Sequence, residues 1–140
     1  FDGRACNCGG TGCWEQYASA SAMVKDYNRE NHDNQVGDSR EIFDRYHEGE
    51  KAAEKVIKQI TEYIGAGISN ILNIFNPEMV IIGGGISEAG NWFIEGIRKS
   101  AFRRAMEASQ KDVEIKAASL GNRAGLLGAA AHDFAGTESG

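Results

Sequence analysis

Cys6, Cys8 and Cys13 lie with Glu15 inside the ten-residue stretch Cys6-Asn7-Cys8-Gly9-Gly10-Thr11-Gly12-Cys13-Trp14-Glu15, which holds every cysteine of the chain. Cysteine in a protein core behaves as a small hydrophobe scattered among apolar neighbours, and this clustering has a different logic. Gly9, Gly10 and Gly12 let the backbone reverse tightly, so the third thiol folds back on the first two. Two readings of the cluster stand side by side. Three thiolates at this spacing suit Zn²⁺, which takes sulfur at about 2.3 Å and is nearly always four-coordinate in structural sites. The same residues also read as free thiols in a loop, because Cys-x-Cys is less diagnostic than paired Cys-x-x-Cys units. A fourth ligand would have to come from elsewhere, and His32, His47 and His132 are the histidines available. Each is distant in sequence and reads equally as a surface residue. Glu15, in the first turn of an expected helix, is favoured there by the helix dipole whether or not it binds anything.

A second chemical candidate is Val80-Ile81-Ile82-Gly83-Gly84-Gly85-Ile86-Ser87, an apolar strand emptying into three glycines ahead of a helix. Ligands of open α/β sheets bind beyond the carboxyl ends of strands, where glycine lets the backbone approach a nucleotide closely. The segment matches neither the dinucleotide fingerprint nor the Walker pattern, so a plain strand-to-helix turn explains it as well.

The elements that must position these loops follow from periodicity. Cys13 to about Glu30 reads as a helix with Tyr17, Ala20, Val24 and Tyr27 on one face. Asp38 is placed as an N-cap with Glu41 three residues on, and Ile42, Phe43 and Tyr46 give the next, short helix its buried side up to Gly49. From Glu50 to Phe75 apolar residues hold helical spacing without a break. Asn76-Pro77 ends that helix, and Met79 to Ile82 reads as a strand covered on both faces. Trp92 to Ala108 predicts a helix with Arg98, Lys99, Arg103 and Arg104 outward, Val113 to Leu120 a second strand, and Ala124 to Phe134 a closely packing helix of small residues. A helix between two strands implies a parallel pair and an α/β domain.

A length of 140 residues suits one domain, able to bury roughly 68–70% of its unfolded surface. Charged residues at 25%, a net charge of −5 and the absence of an apolar run of roughly 18 residues argue against a membrane span and against general nucleic-acid binding. An odd number of cysteines fits a reducing, cytoplasmic compartment better than a closed disulfide framework. Because the chain enters the cysteine motif almost at once, we expect a fragment whose N-terminal part is missing.

The motif Cys-x-Cys-Gly-x-x-Gly-Cys-x-Glu, followed by Gln16-Tyr17-Ala18-Ser19, resembles the signature of the ROK family of bacterial sugar kinases and repressors. Asn76-Pro77-Glu78 before the glycine segment, and Gly121-Asn122-Arg123-Ala124-Gly125-Leu126-Leu127-Gly128-Ala129-Ala130, resemble further family segments in the same order. The wording after Cys13 is most similar to the glucokinase members. This resemblance implies an α/β fold of the actin-like ATPase (ribonuclease H-like) class, with residues 1–135 forming part of its C-terminal domain and 136–140 a frayed tail. It implies a zinc loop at 6–15 with Cys6, Cys8 and Cys13 as ligands, and a fourth ligand from a Glu-x-Gly-His motif upstream of Phe1. Glu15 would bind sugar hydroxyls, and Gly83, Gly84 and Gly85, in a nucleotide loop at 83–87, would face the adenosine end of ATP. The parent would be an ATP- and Mg²⁺-dependent glucokinase acting on the 6-hydroxyl of glucose, dimeric when intact. Its catalytic aspartate matches no residue of this chain, so no catalytic residue is carried over and the isolated fragment is expected to be inactive. The alternative that the resemblance carries is the sugar-sensing domain of a ROK repressor. A stand-alone zinc-binding interaction module is the third reading.

Overall fold

A computed structural model describes residues 3–119. The elements run α1 (Ala20–Glu30), α2 (Ser39–His47), α3 (Lys51–Phe75), β1 (Met79–Ile82), α4 (Asn91–Phe102) and β2 (Glu114–Ala117), with short 3-10 turns at Trp14–Gln16, Gly85–Ala89 and Glu107–Gln110. β1 and β2 pair in parallel from Met79 opposite Glu114 to Ile82 opposite Ala117, with α4 crossing between them. This is the expected α/β connection.

The chain builds from its caps. Asp38 accepts the N–H groups of Arg40 and Glu41, which starts α2 where the sequence places it. Glu41 reaches back to the N–H of Gly37 at 2.9 Å, one residue earlier than a capping box would have it. α3 spans 25 residues and ends at Asn76, whose left-handed φ of 44° releases the chain into Pro77. Its inner stripe, including Val56, Ile60, Ile64, Ile68 and Leu72, forms the spine of the core. α4 packs on it so closely that a Cβ added to Gly65 would lie 2.4 Å from Ser100 Oγ. Trp92 of α4 stacks on Tyr46 of α2, with ring centroids 4.7 Å apart.

Four expectations need correction. The helix from Cys13 does not form as one piece: Trp14–Gln16 is a 3-10 turn, and Ser19 caps a separate α1 by accepting the N–H of Ala22. The hydroxyl offers the chain an alternative to a continuous helix. The buried face of α1 is consequently Ala22, Met23, Asp26 and Tyr27, and Tyr17 lies before the helix. α4 stops at Phe102, where its last carbonyls are taken by following side chains, Arg104 donating to Ser100 and Gln110 to Phe102. β1 is covered on one face only among the described residues: Val80 and Ile82 pack on the core, whereas Met79 and Ile81 are 45% and 64% exposed. Ile74 and Phe75, at the end of α3, are exposed as well. The second strand is confined to Glu114–Ala117. The helix expected at Ala124 to Phe134 and the segment Gly121 to Ala130 lie outside the described residues.

Candidate functional site

The cysteine loop is a small hairpin. Ala5 and Thr11 form an antiparallel bridge, the N–H of Cys6 donates to Gly10, and the N–H of Gly12 donates to Arg4. Gly9 closes the turn at a φ of 88°, a conformation that costs glycine nothing. The base of the hairpin is tight, since a Cβ on Gly3 would come 2.6 Å from Gly12 Cα. This reversal gathers all three sulfurs, Cys6, Cys8 and Cys13, to within 4.8 Å of one another.

Cys8 Sγ and Cys13 Sγ are 3.4 Å apart, too far for a disulfide and close to the edge of about 3.8 Å that two 2.3 Å bonds make at a tetrahedral metal. The N–H of Gly10, and then the Cys13 thiol, hold Cys8 below the usual thiol range. Donating that hydrogen bond to Cys8 pushes Cys13 up to about 11. Of these two thiols Cys8 gives up its proton the more readily, and a metal bound to the cluster would require its ligands to be thiolates. The donor set fits three positions of a four-coordinate soft cation. Among the described residues no histidine joins it: His32 is exposed after α1, and His47 lies against Trp92 at the end of α2. His132 lies outside the described residues.

Three anchors fix the loop to the fold. Trp14 Nε1 donates to the carbonyl of Tyr63 on α3 at 2.8 Å, and Tyr17 packs edge-on against the Tyr63 ring. Arg4 is the third. Its backbone N–H donates to the Tyr17 hydroxyl, its guanidinium lies over the Tyr17 ring, and its two terminal nitrogens reach the carbonyl of Gln16 and the buried carboxylate of Asp26. Neither Arg4 nor Asp26 was evident as a site residue from motif spacing. The available signal was a carboxylate on the apolar stripe of α1, between Met23 and Tyr27, which requires a cationic partner.

Glu15 sits in the turn directly after Cys13, exposed. Gly83, Gly84 and Gly85 follow β1, and Gly83 lines an apolar cleft of about 280 Å³ together with Trp14, Ile68, Val80, Ile82 and Ile86. Gly84 takes a φ of 80°, and its carbonyl accepts the Ser87 hydroxyl and N–H. Gly85 faces the first residues of α1 and α2, Ala20 and Ser39, with room for contacts of 3.8 and 3.9 Å at its missing Cβ. The structure thus brings the two sequence-predicted loops to one cleft, with the glycine loop beside the N-terminal ends of two helices.

The family model for "ROK family" matches residues 1–133. The chain belongs to the ROK family. It is 34% identical to the glucokinase of Streptomyces coelicolor over 92% of its own length, which is 46% of that protein. It is 33% identical to the xylose repressor of Caldicellulosiruptor bescii over 91% of its length and 35% of the repressor's. Its backbone superposes on a ROK family glucokinase from Streptomyces griseus, in complex with glucose and AMPPNP, with a TM-score of 0.80 at 30% identity, covering 92% of this chain and 46% of that one. The fold is accordingly that of the ROK sugar kinases, in the actin-like ATPase class. The chain spans less than half the length of these relatives.

Proposed function

We propose that this chain is part of the C-terminal domain of an ATP-dependent hexose kinase, specifically a glucokinase that transfers the γ-phosphoryl group of ATP to the 6-hydroxyl of glucose. The observation that carries the reading is the assembled cysteine loop, whose Trp14 lines the same cleft as Gly83 of the glycine loop and is followed directly by the exposed Glu15. Its likeness to a glucokinase in complex with glucose and AMPPNP supports the same reading.

In this account Glu15 accepts hydrogen bonds from sugar hydroxyls, as an exposed carboxylate on a rigid turn can. Gly83, Gly84 and Gly85 leave the backbone free to approach the adenosine end of ATP. Cys6, Cys8 and Cys13 hold a structural zinc ion, which when bound knots the loop and supplies no step of the transfer. The zinc ligands thus act through the position of Glu15. Mg²⁺ enters with the nucleotide phosphates, and none of the described residues is assigned to it. An aspartate outside this chain takes the proton from the sugar hydroxyl, so positioning is what these residues contribute. The isolated chain is therefore inactive. The intact enzyme is a cytoplasmic homodimer, and no described helix is long and apolar enough to cross a membrane.

A second reading, the sugar-sensing domain of a ROK transcriptional repressor, is favoured by the comparable identity to the xylose repressor. One experiment separates the two. The full-length protein is screened for phosphotransfer over glucose, mannose, N-acetylated sugars and fructose, with ATP and polyphosphate as donors and zinc content measured alongside. Glucose phosphorylation with ATP supports the kinase. Sugar binding without transfer, together with sequence-specific DNA binding, overturns it in favour of the repressor.

A further inference from the structure

We propose that Gln16 is a positioning residue of the cysteine loop, its side-chain amide donating an N–H···S hydrogen bond that fixes Cys6 as a thiolate ligand. The inference rests on reading the three cysteines as metal ligands. Gln16 Nε2 lies 3.7 Å from Cys6 Sγ, within the range of a hydrogen bond to sulfur. A neutral thiol is a weak acceptor, and an amide directed at sulfur gains most when that sulfur carries negative charge. Cys8 takes its donor from the backbone of Gly10, whereas Cys6 takes one from a side chain, and a side chain must itself be held.

It is held from behind. The carbonyl of Gln16 accepts a hydrogen bond from Arg4 Nη1 at 2.8 Å, and the N–H of Gln16 donates to the carbonyl of Cys13 at 3.0 Å. Arg4 is locked in turn by Asp26, whose carboxylate it meets at 2.9 Å, and by the face of Tyr17 at 4.4 Å. A continuous line of polar contacts therefore runs from a buried carboxylate on α1, through Arg4 and Gln16, to one sulfur of the cluster. Gln16 is also the residue after Glu15, so the contact that orients Cys6 fixes the backbone of the sugar-facing turn. Partners that orient a metal ligand commonly contribute 10–100-fold in metal affinity.

The test uses the full-length protein freed of zinc, with Co²⁺ as a spectroscopic stand-in for the metal. Wild type, Gln16→Ala and Gln16→Glu are titrated with Co²⁺ while the sulfur-to-cobalt charge-transfer band is recorded, and circular dichroism checks that each is folded. Wild type is expected to bind one Co²⁺. Both variants are expected to bind about 10–100-fold more weakly, with the band moved to longer wavelength because a thiolate that loses a hydrogen bond gives up charge more easily. Gln16→Glu keeps the shape and removes the donor, so it is expected to be at least as impaired as Gln16→Ala. Wild-type affinity and band position in Gln16→Glu would show a packing role and overturn the proposal. Unchanged binding in both variants would overturn it too, leaving the metal reading intact. Failure of the wild type to take up cobalt would overturn the metal reading and this inference with it.

Discussion

The indole of Trp14 lies directly over Gly67, where a side chain of any size would collide with it: a Cβ at Gly67 would fall 2.2 Å from the ring. The glycine is thus the seat on which the cysteine loop rests against α3. Gly67→Ala gains about 1 kcal/mol in helix propensity and forces the ring to move, with overpacking costs of typically 1–3 kcal/mol. We expect a net loss of stability in urea unfolding and a shift in tryptophan emission. A gain in stability with unchanged emission would mean that the loop is not seated there.

Two other glycines provide a matched pair. At Gly65 a Cβ meets Ser100 Oγ and Cβ and the Ala101 nitrogen at 2.4, 2.5 and 2.9 Å, whereas at Gly96 it meets only Thr61 Cγ2 at 3.4 Å. Gly65→Ala is expected to destabilise by about 1–3 kcal/mol as α3 and α4 are forced apart. Gly96→Ala is expected to be neutral or stabilising by up to about 1 kcal/mol, the gain in helix propensity. Equal effects in chemical denaturation would contradict the close crossing.

Asp26 joins α1 to the cysteine loop through Arg4, with its side chain 9% exposed. Asp26→Ala leaves a guanidinium without its anion in a half-buried place, at a cost of about 3 kcal/mol or more. The same variant is expected to weaken Co²⁺ binding at the loop, since Arg4 then holds Gln16 less firmly. Normal stability in urea would show that the ion pair is not needed.

Much of this architecture was legible in the sequence because local signals agreed with tertiary ones. Asp38 has two backbone N–H groups to cap, Asn76-Pro77 ends the long amphipathic stripe of α3, and Met79 to Ile82 is too short and too apolar to read as anything but a strand. The glycine-spaced cysteines likewise announced convergence, and the fold delivers it. The misreadings have a common cause, which is that long-range partners decided the outcome. Ser19 rather than Cys13 begins α1 because the preceding residues are tied to Tyr63 and Arg4. Gln16 carried no signal, because a glutamine after a motif reads as an ordinary surface residue until Cys6 is folded beside it.

The pH dependence of stability has a definite sign at Glu62. Arg103, and with it Arg104, hold its carboxyl below the usual carboxylate range. A depressed folded-state pKa stabilises the fold above the unfolded value near 4.5, and that contribution fades as pH falls through the folded value. The side chain is 33% exposed, so solvent screening limits the contribution to about 1 kcal/mol or less. Glu62→Gln is therefore expected to be slightly less stable than wild type at pH 7, with the difference shrinking as pH falls below about 4.5. A difference that stays constant as pH falls would assign the effect to packing.

The proposed role of the cysteine loop is to hold Glu15 in place for sugar. Its most direct test is calorimetric titration of glucose into the full-length protein before and after removal of zinc, with metal loss verified by elemental analysis. The account predicts one zinc per chain and glucose binding weakened at least tenfold once the metal is gone. Unchanged glucose affinity in the zinc-free protein would contradict it.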